Sequence, residues 1–225
     1  MSNYQVSVII PAAGRAVRFA SPQSKILAEL AGRPMIFQTL SRFLPLECVR
    51  QIIVALGPNE MAVIGAEYCD HLADKRIQLV GGGDRRCDTV AGAVARVAGG
   101  IDLIAVHDAA RPLVDGEVIE RAFQGAAEHG AALAAIPLYD TIKRADKDNR
   151  VMATVSRKDL YCMQTPQVFE ANLLRTAIAQ WDGSTITDDA QWIEAIGHPV
   201  HLVLGSRRNF KVTTTEDLAL AELLW

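Results

Sequence analysis

Two cations near the start of the chain, Arg18 and Lys25, follow a turn of small residues, Pro11-Ala12-Ala13-Gly14. That turn comes directly after Val6-Ser7-Val8-Ile9-Ile10, a β-branched apolar run of the kind that forms a buried strand. Small residues at the C-terminal end of a strand let backbone N–H groups approach a ligand closely. Cations fixed downstream of them suit a polyphosphate. The pattern predicts a nucleoside triphosphate site. It is neither a Walker A loop, which needs GxxxxGK[ST], nor the GxGxxG dinucleotide fingerprint.

Two further groups sit after predicted strands. Gly81-Gly82-Gly83-Asp84-Arg85-Arg86-Cys87-Asp88-Thr89 follows Ile77–Val80 and leads into a helix. Its glycines permit positive φ and close backbone approach, and Thr89 offers a hydroxyl near the helix start. Such a turn can read a base edge; a plain tight turn is the alternative. His107-Asp108-Ala109-Ala110-Arg111-Pro112 follows Leu103–Val106. A carboxylate at a strand end, here Asp108, is placed to hold Mg²⁺ against phosphate oxygens. Arg111 either orients Asp108 or contacts a ligand, and a purely structural Asp–Arg pair remains open. Thr141, Arg157, Thr165-Pro166-Gln167, Ile186-Thr187-Asp188-Asp189 and Asn209-Phe210-Lys211-Val212-Thr213 read singly as surface or cap chemistry. Thr187, for instance, is able to cap the helix after it.

The elements that must position these residues alternate along the chain. Strands are predicted at Val6–Ala12, Gln51–Leu56, Ile77–Val80, Leu103–His107, Ala131–Pro137 and Val200–Leu204. Helices are predicted at Pro34–Leu44, Asn59–His71, Asp88–Val97, Gly116–His129, Thr187–Ile196 and Thr215–Leu224. This alternation implies an α/β fold, a Rossmann-like, mostly parallel sheet with helices on both faces. Ligands in such folds bind beyond the C-terminal ends of the strands, where the unusual residues lie. One region breaks the rhythm. From Tyr139 to about Leu160 the chain is polar and charged, with turn chemistry at Asp148-Asn149. It reads as a protruding β-hairpin arm, too short to hold a core of its own and so expected to pack on something. Residues 1–225 are expected to form one domain with the arm at about 139–160.

With 26 acidic and 23 basic residues, no bulk basicity points to nucleic acid or to an acidic membrane surface. Cys48, Cys69, Cys87 and Cys162 form no CxxC pair, as expected of reduced thiols in a cytoplasmic protein. No signal peptide, transmembrane helix or second domain is expected.

Taken together, these segments resemble the methylerythritol-phosphate cytidylyltransferases of the non-mevalonate isoprenoid pathway, which have a nucleotidyltransferase fold. The opening loop resembles the family's AAGxGxRM-type motif and its following lysine. Gly82-Gly83 with Arg86 and Thr89 resembles GGxxRxxSV, and residues 107–112 read HDAARP. Asp140-Thr141-Ile142-Lys143, Thr165-Pro166-Gln167, Ile186-Thr187-Asp188 and Lys211-Val212-Thr213 follow in family order, so the resemblance spans nearly the whole chain. Ala16 stands where the family usually has Gly, and Ser24-Lys25-Ile26-Leu27 stands where it has Pro-Lys-Gln-Tyr.

The resemblance implies attack of the 4-phosphate of methylerythritol phosphate on the α-phosphorus of CTP, releasing pyrophosphate. A phosphate nucleophile is already anionic, so cations and Mg²⁺ carry the catalysis and no general base is needed. By resemblance, Arg18, Lys25 and Lys211 act on the triphosphate, and Ala12, Ala13, Gly14, Gly83, Asp84 and Thr89 surround the nucleotide. Asp108 is the Mg²⁺ ligand and also contacts substrate. Arg111, Thr141, Arg157 and Thr187 hold the acceptor. The family's arm crosses to a second subunit, which implies a homodimer in which Arg157 joins the catalytic residues of the neighbour's site. Another polyol phosphate acceptor, such as ribitol 5-phosphate, would use the same chemistry. A non-catalytic nucleotide-binding module is the remaining alternative.

Overall fold

A computed structural model describes residues 4–14, 19 and 24–225. Its strands are β1 (Val6–Ala12), β2 (Glu29–Leu30), β3 (Arg33–Pro34), β4 (Val49–Leu56), β5 (Ile77–Gly81), β6 (Leu103–Val106), β7 (Ala131–Pro137), β8 (Ile142–Ala145), β9 (Val151–Val155), β10 (Tyr161–Glu170) and β11 (His201–Leu204). Its α-helices are α1 (Met35–Leu40), α2 (Pro58–Glu67), α3 (Arg86–Val94), α4 (Gly116–His129), α5 (Ala171–Ala179), α6 (Ala190–Ala195) and α7 (Thr215–Leu224).

Seven strands form the central sheet in the order β11-β7-β10-β6-β1-β4-β5. β1 pairs in parallel with β4 and β6, β4 with β5, and β11 with β7. The alternation along β1 divides the core, because successive side chains of a strand point to opposite faces. Val8 and Ile10 pack with Ile36 and Phe37 of α1, Ile64 of α2 and Phe123 of α4. Ile9 faces the other way, with Val90 of α3, Leu174 of α5 and Trp192 of α6. Both faces are thus covered by helices, as a parallel sheet of near-continuous apolar strands requires. α4 is fixed at both ends. The Asp115 carboxylate accepts from the Val118 N–H, and Gly130 ends the helix at φ 81°, a conformation that favours glycine.

The sequence expectation contains neither β10 nor α5. β10 runs antiparallel between β6 and β7, with its register broken between Met163 and Gln167. Four predicted helices are shorter than expected: α1 stops at Leu40, α2 at Glu67, α6 starts at Ala190, and α3 begins two residues early, at Arg86, and stops at Val94. The hairpin arm is present as β8 paired antiparallel with β9, and Asn149 at its tip takes φ 61°. No helix among the described residues is long and apolar enough to cross a membrane.

Candidate active site

A cleft opens at the C-terminal ends of β1, β5 and β6. Ala12, Ala13 and Gly14 form one wall, Gly83, Asp84, Arg86 and Thr89 another, and Lys25, Asp108 and Lys211 close it. Residues from opposite ends of the chain therefore meet here. Lys25 Nζ donates to the Val212 carbonyl at 3.1 Å, and the Val212 N–H donates to the Ala110 carbonyl at 2.8 Å. Arg18 lies outside the described residues.

The glycine turn has a different basis from the one its sequence suggests. Neither Gly82 nor Gly83 has a φ in the left-handed region. What they supply is room: a Cβ on Gly82 would overlap the Ala13 Cβ, and one on Gly83 would lie 2.7 Å from the Asp88 Cβ. The Thr89 hydroxyl locks this turn, accepting from the Gly83 N–H at 3.0 Å and lying 3.0 Å from the Arg85 carbonyl. Gly82→Ala is therefore expected to push the Ala13 and Thr89 walls apart. Overpacking of this kind costs about 1–3 kcal/mol. Thermal melts should register it, and an unchanged melting temperature would count against the close-packing argument.

Asp108 is the electrostatic centre. Its carboxylate lies 3.1 Å from Lys211 Nζ, 3.1 Å from Arg111 Nε and 3.7 Å from Arg86 Nη2. Burial penalises its charge, but the fields of Lys211, Arg86 and Arg111 outweigh that and hold the group well below the usual carboxylate range. Arg111 is turned inward as well as toward Asp108, donating from Nη1 to the Asn209 carbonyl at 2.8 Å. Arg86 makes a two-pronged pair with Asp189, at 2.7 and 2.8 Å. Asp189 is fully buried, and its N–H donates to Gln167 Oε1 at 3.0 Å. Burial raises the Asp189 carboxyl above its ordinary value, with the Arg86 pairing opposing the rise.

Beside Asp108, His107 is fully buried, with Nε2 3.1 Å from the Arg111 carbonyl and Nδ1 3.1 Å from Thr165 Oγ1. Burial depresses its pKa to about 4, so the ring is neutral near pH 7.

Thr141, Arg157 and Thr187 do not line the cleft. Thr141 precedes β8 and is exposed, as is Thr187, whose N–H donates to Gln191 Oε1 at 2.7 Å. Arg157 is exposed and donates to the Tyr139 carbonyl, tying the two ends of the arm together.

Residues 6–225 match the family model described as 2-C-methyl-D-erythritol 4-phosphate cytidylyltransferase. The chain belongs to this family. The cytidylyltransferase of that name from Symbiobacterium thermophilum is 42% identical over 225 residues, covering 97% of this chain and 92% of that protein. The one from Caldanaerobacter subterraneus is 38% identical, with 97% of each covered. The crystal structure of the 2-C-methyl-D-erythritol 4-phosphate cytidylyltransferase from Thermus thermophilus is 34% identical, with a TM-score of 0.81 and 98% of each chain covered.

Within this cytidylyltransferase framework, sequence reasoning gave no role to Asp189, Asn209 or His107. Their signal lay in the motif neighbours: each flanks or follows a residue that was singled out. Among the described residues no group of three or more His, Cys, Asp and Glu side chains is placed to hold a metal, so a magnesium ion would rest on Asp108 and on the substrate's own oxygens. Asp108 offers one ionised hard oxygen donor at the cleft, and Mg²⁺ commonly takes one or two carboxylates with substrate phosphates and water completing its shell. The three cations around Asp108 mean that such an ion is best accommodated together with the negative charge of a triphosphate.

Proposed function

We propose that this chain transfers CMP from CTP to 2-C-methyl-D-erythritol 4-phosphate, giving 4-diphosphocytidyl-2-C-methyl-D-erythritol and pyrophosphate. The observation that carries this reading is the match to the cytidylyltransferase family over residues 6–225. The meeting of Lys25, Asp108 and Lys211 at the strand ends supports it.

The residue roles follow from charge and place. The backbone of Ala12, Ala13, Gly14, Gly83 and Asp84 surrounds cytosine and ribose, and Thr89 holds the turn that presents it. Lys25, Lys211 and Arg18 draw the triphosphate in and stabilise the charge that accumulates on the α-phosphorus during displacement. Asp108 would hold Mg²⁺, which neutralises phosphate oxygens when bound. The family resemblance also gives Asp108, Arg111, Thr141, Arg157 and Thr187 to the acceptor; of these only Asp108 lines this chain's own cleft, and Arg157 is supplied to a neighbouring subunit. No residue needs to remove a proton, because the attacking phosphate is already ionised.

The chain functions in the cytoplasm as a single nucleotidyltransferase domain, in a homodimer held by the arm at about 139–160. The arm's exposed apolar residues favour that assembly: Val151 and Met152 are 63% and 65% exposed on a two-stranded sheet with no core of its own. Sedimentation is expected to find a dimer, and Val151→Asp with Met152→Asp to shift it to monomer with loss of activity. A fully active monomer would defeat the shared site.

The test of the reaction is pyrophosphate release from CTP with Mg²⁺, run in parallel with methylerythritol 4-phosphate and ribitol 5-phosphate. Rapid release with the first alone is expected. Release with ribitol phosphate alone would overturn the acceptor, and nucleotide binding without release with either would overturn the enzyme reading.

A further inference from the structure

We propose that His107 is a positioning residue, whose buried imidazole pins the Asp108–Arg111 turn to Thr165 and so aims Asp108 across the cleft. The proposal rests on the functional reading above and adds a residue that reaches neither ligand.

The hydrogen bonds fix the ring's state. The Arg111 carbonyl can only accept, so the Nε2 facing it at 3.1 Å carries the proton. Nδ1 is then an acceptor, and its partner at 3.1 Å is the Thr165 hydroxyl. That hydroxyl in turn accepts the Asp108 N–H at 3.0 Å. Every group has one direction available, and a flipped ring would break the sequence of bonds. Phe43 packs against the imidazole, with ring centroids 5.0 Å apart, and holds it in place from the side.

The result is that both ends of the turn, the Asp108 N–H and the Arg111 carbonyl, hang from one rigid unit. The same unit reaches Lys211. The Thr165 carbonyl accepts from Asn209 Nδ2 at 2.8 Å, and the Asn209 carbonyl accepts from Arg111 Nη1 at 2.8 Å. Lys211 follows Asn209 by two residues and meets Asp108 at 3.1 Å. The nucleotide walls are held by other bonds, such as Gly82 N–H to the Leu56 carbonyl at 2.8 Å and Gly83 N–H to Thr89 Oγ1 at 3.0 Å. An apolar ring in place of the imidazole would fill the same space yet release the turn. Loss of His107 thus affects Asp108 and, through Asn209, Lys211, and spares the Gly82–Thr89 turn, whose bonds are its own.

The experiment compares wild type, His107→Phe, His107→Gln, Thr165→Val and the His107→Phe/Thr165→Val double variant. His107→Phe is expected to lower kcat/KM for the acceptor about 100-fold, the scale of a misplaced catalytic group. Its dissociation constant for cytidine, which carries the base and ribose but no phosphate, should stay within about twofold in calorimetric titration. His107→Gln, which can both donate and accept, should recover part of the loss. The double variant should be no worse than the poorer single one, because both act through one series of bonds. Equal losses in cytidine affinity and acceptor kcat/KM, or additive losses in the double variant, would overturn the proposal. The crystal structure of His107→Phe gives a readout independent of turnover: an unmoved Asp108 carboxylate would also overturn it. Failure of the wild type to use methylerythritol phosphate would instead defeat the functional reading, while that crystal structure still decides the role of His107.

Discussion

Lys25→Ala lowers kcat by roughly two orders of magnitude, equivalent to on the order of 3 kcal/mol of transition-state stabilisation, while the fold persists. Lys25 enters the cleft from the short helical turn Lys25–Leu27 and is braced by the Val212 carbonyl at 3.1 Å. In the folded protein the change removes that bond, a loss of about 1 kcal/mol, which lowers Tm by only about 2–4 °C in a chain of this size. The catalytic loss is expected to be larger because the proposed role of the ammonium, which lines the cleft, is to meet charge that develops in the transition state. The expected pattern is a fall in kcat with little change in the KM for CTP, since the interaction strengthens in the transition state. Steady-state kinetics alongside a thermal melt separate the two effects. Near-normal kcat would remove Lys25 from the reaction.

The largest effect on stability is expected from Arg86→Met. Asp189 is fully buried, and Arg86 supplies both of its ionic hydrogen bonds, at 2.7 and 2.8 Å. Removing the guanidinium leaves a carboxylate in the interior without its counter-charge. Breaking a buried pair costs about 3–5 kcal/mol, and the Arg86 side chain's 34% exposure places this case toward the lower figure. Replacing both partners, Arg86→Met with Asp189→Leu, should be much less damaging, because no charge is then stranded. Acid gives a second signature. The Asp189 carboxyl already lies above its ordinary value, and without Arg86 it rises further. As pH falls through that raised value, the folded variant takes up a proton that the unfolded chain does not yet bind. Its stability deficit against wild type should therefore shrink between about pH 7 and pH 4. Urea unfolding across that range measures it, and a deficit independent of pH would mean that Asp189 is not stranded as an anion.

The elements that were legible in the sequence are those whose burial is apolar. β1, β4 and β6 are runs of Val, Ile, Leu and Ala covered on both faces, and their boundaries were read within one or two residues. β10 was not legible because its buried middle is polar: Gln164, Thr165 and Gln167 are all at or below 4% exposure. Pro166 argues further against a central strand, since proline donates nothing to a ladder. It is tolerated here because the pairing with β7 is interrupted between Met163 and Gln167. The cleft was legible where chemistry follows chain geometry, as with Ala12, Gly83 and Asp108 at or just beyond strand ends, whereas Lys211 was placed there only by the family resemblance. Asp189 and Asn209 were not assigned roles, because a carboxylate paired across a hundred residues and an amide bridging two loops leave no local periodicity. Thr89 was found for its hydroxyl, but that hydroxyl closes the glycine turn.

The joining of the opening strand to the closing loop has a consequence for how the protein is made. Ala12 and Lys25 are synthesised well before Lys211 and Val212. The Lys25–Val212 bond spans 187 positions. A ribosome-bound intermediate can assemble β1, β4 and β6 and still lack one wall of its phosphate site. Contacts of such long sequence separation are slow to form, because loop-closure entropy must be overcome before they contribute. The cation cluster around Asp108 is therefore completed late, and a nascent chain stalled before Asn209 would lack Lys211 from it.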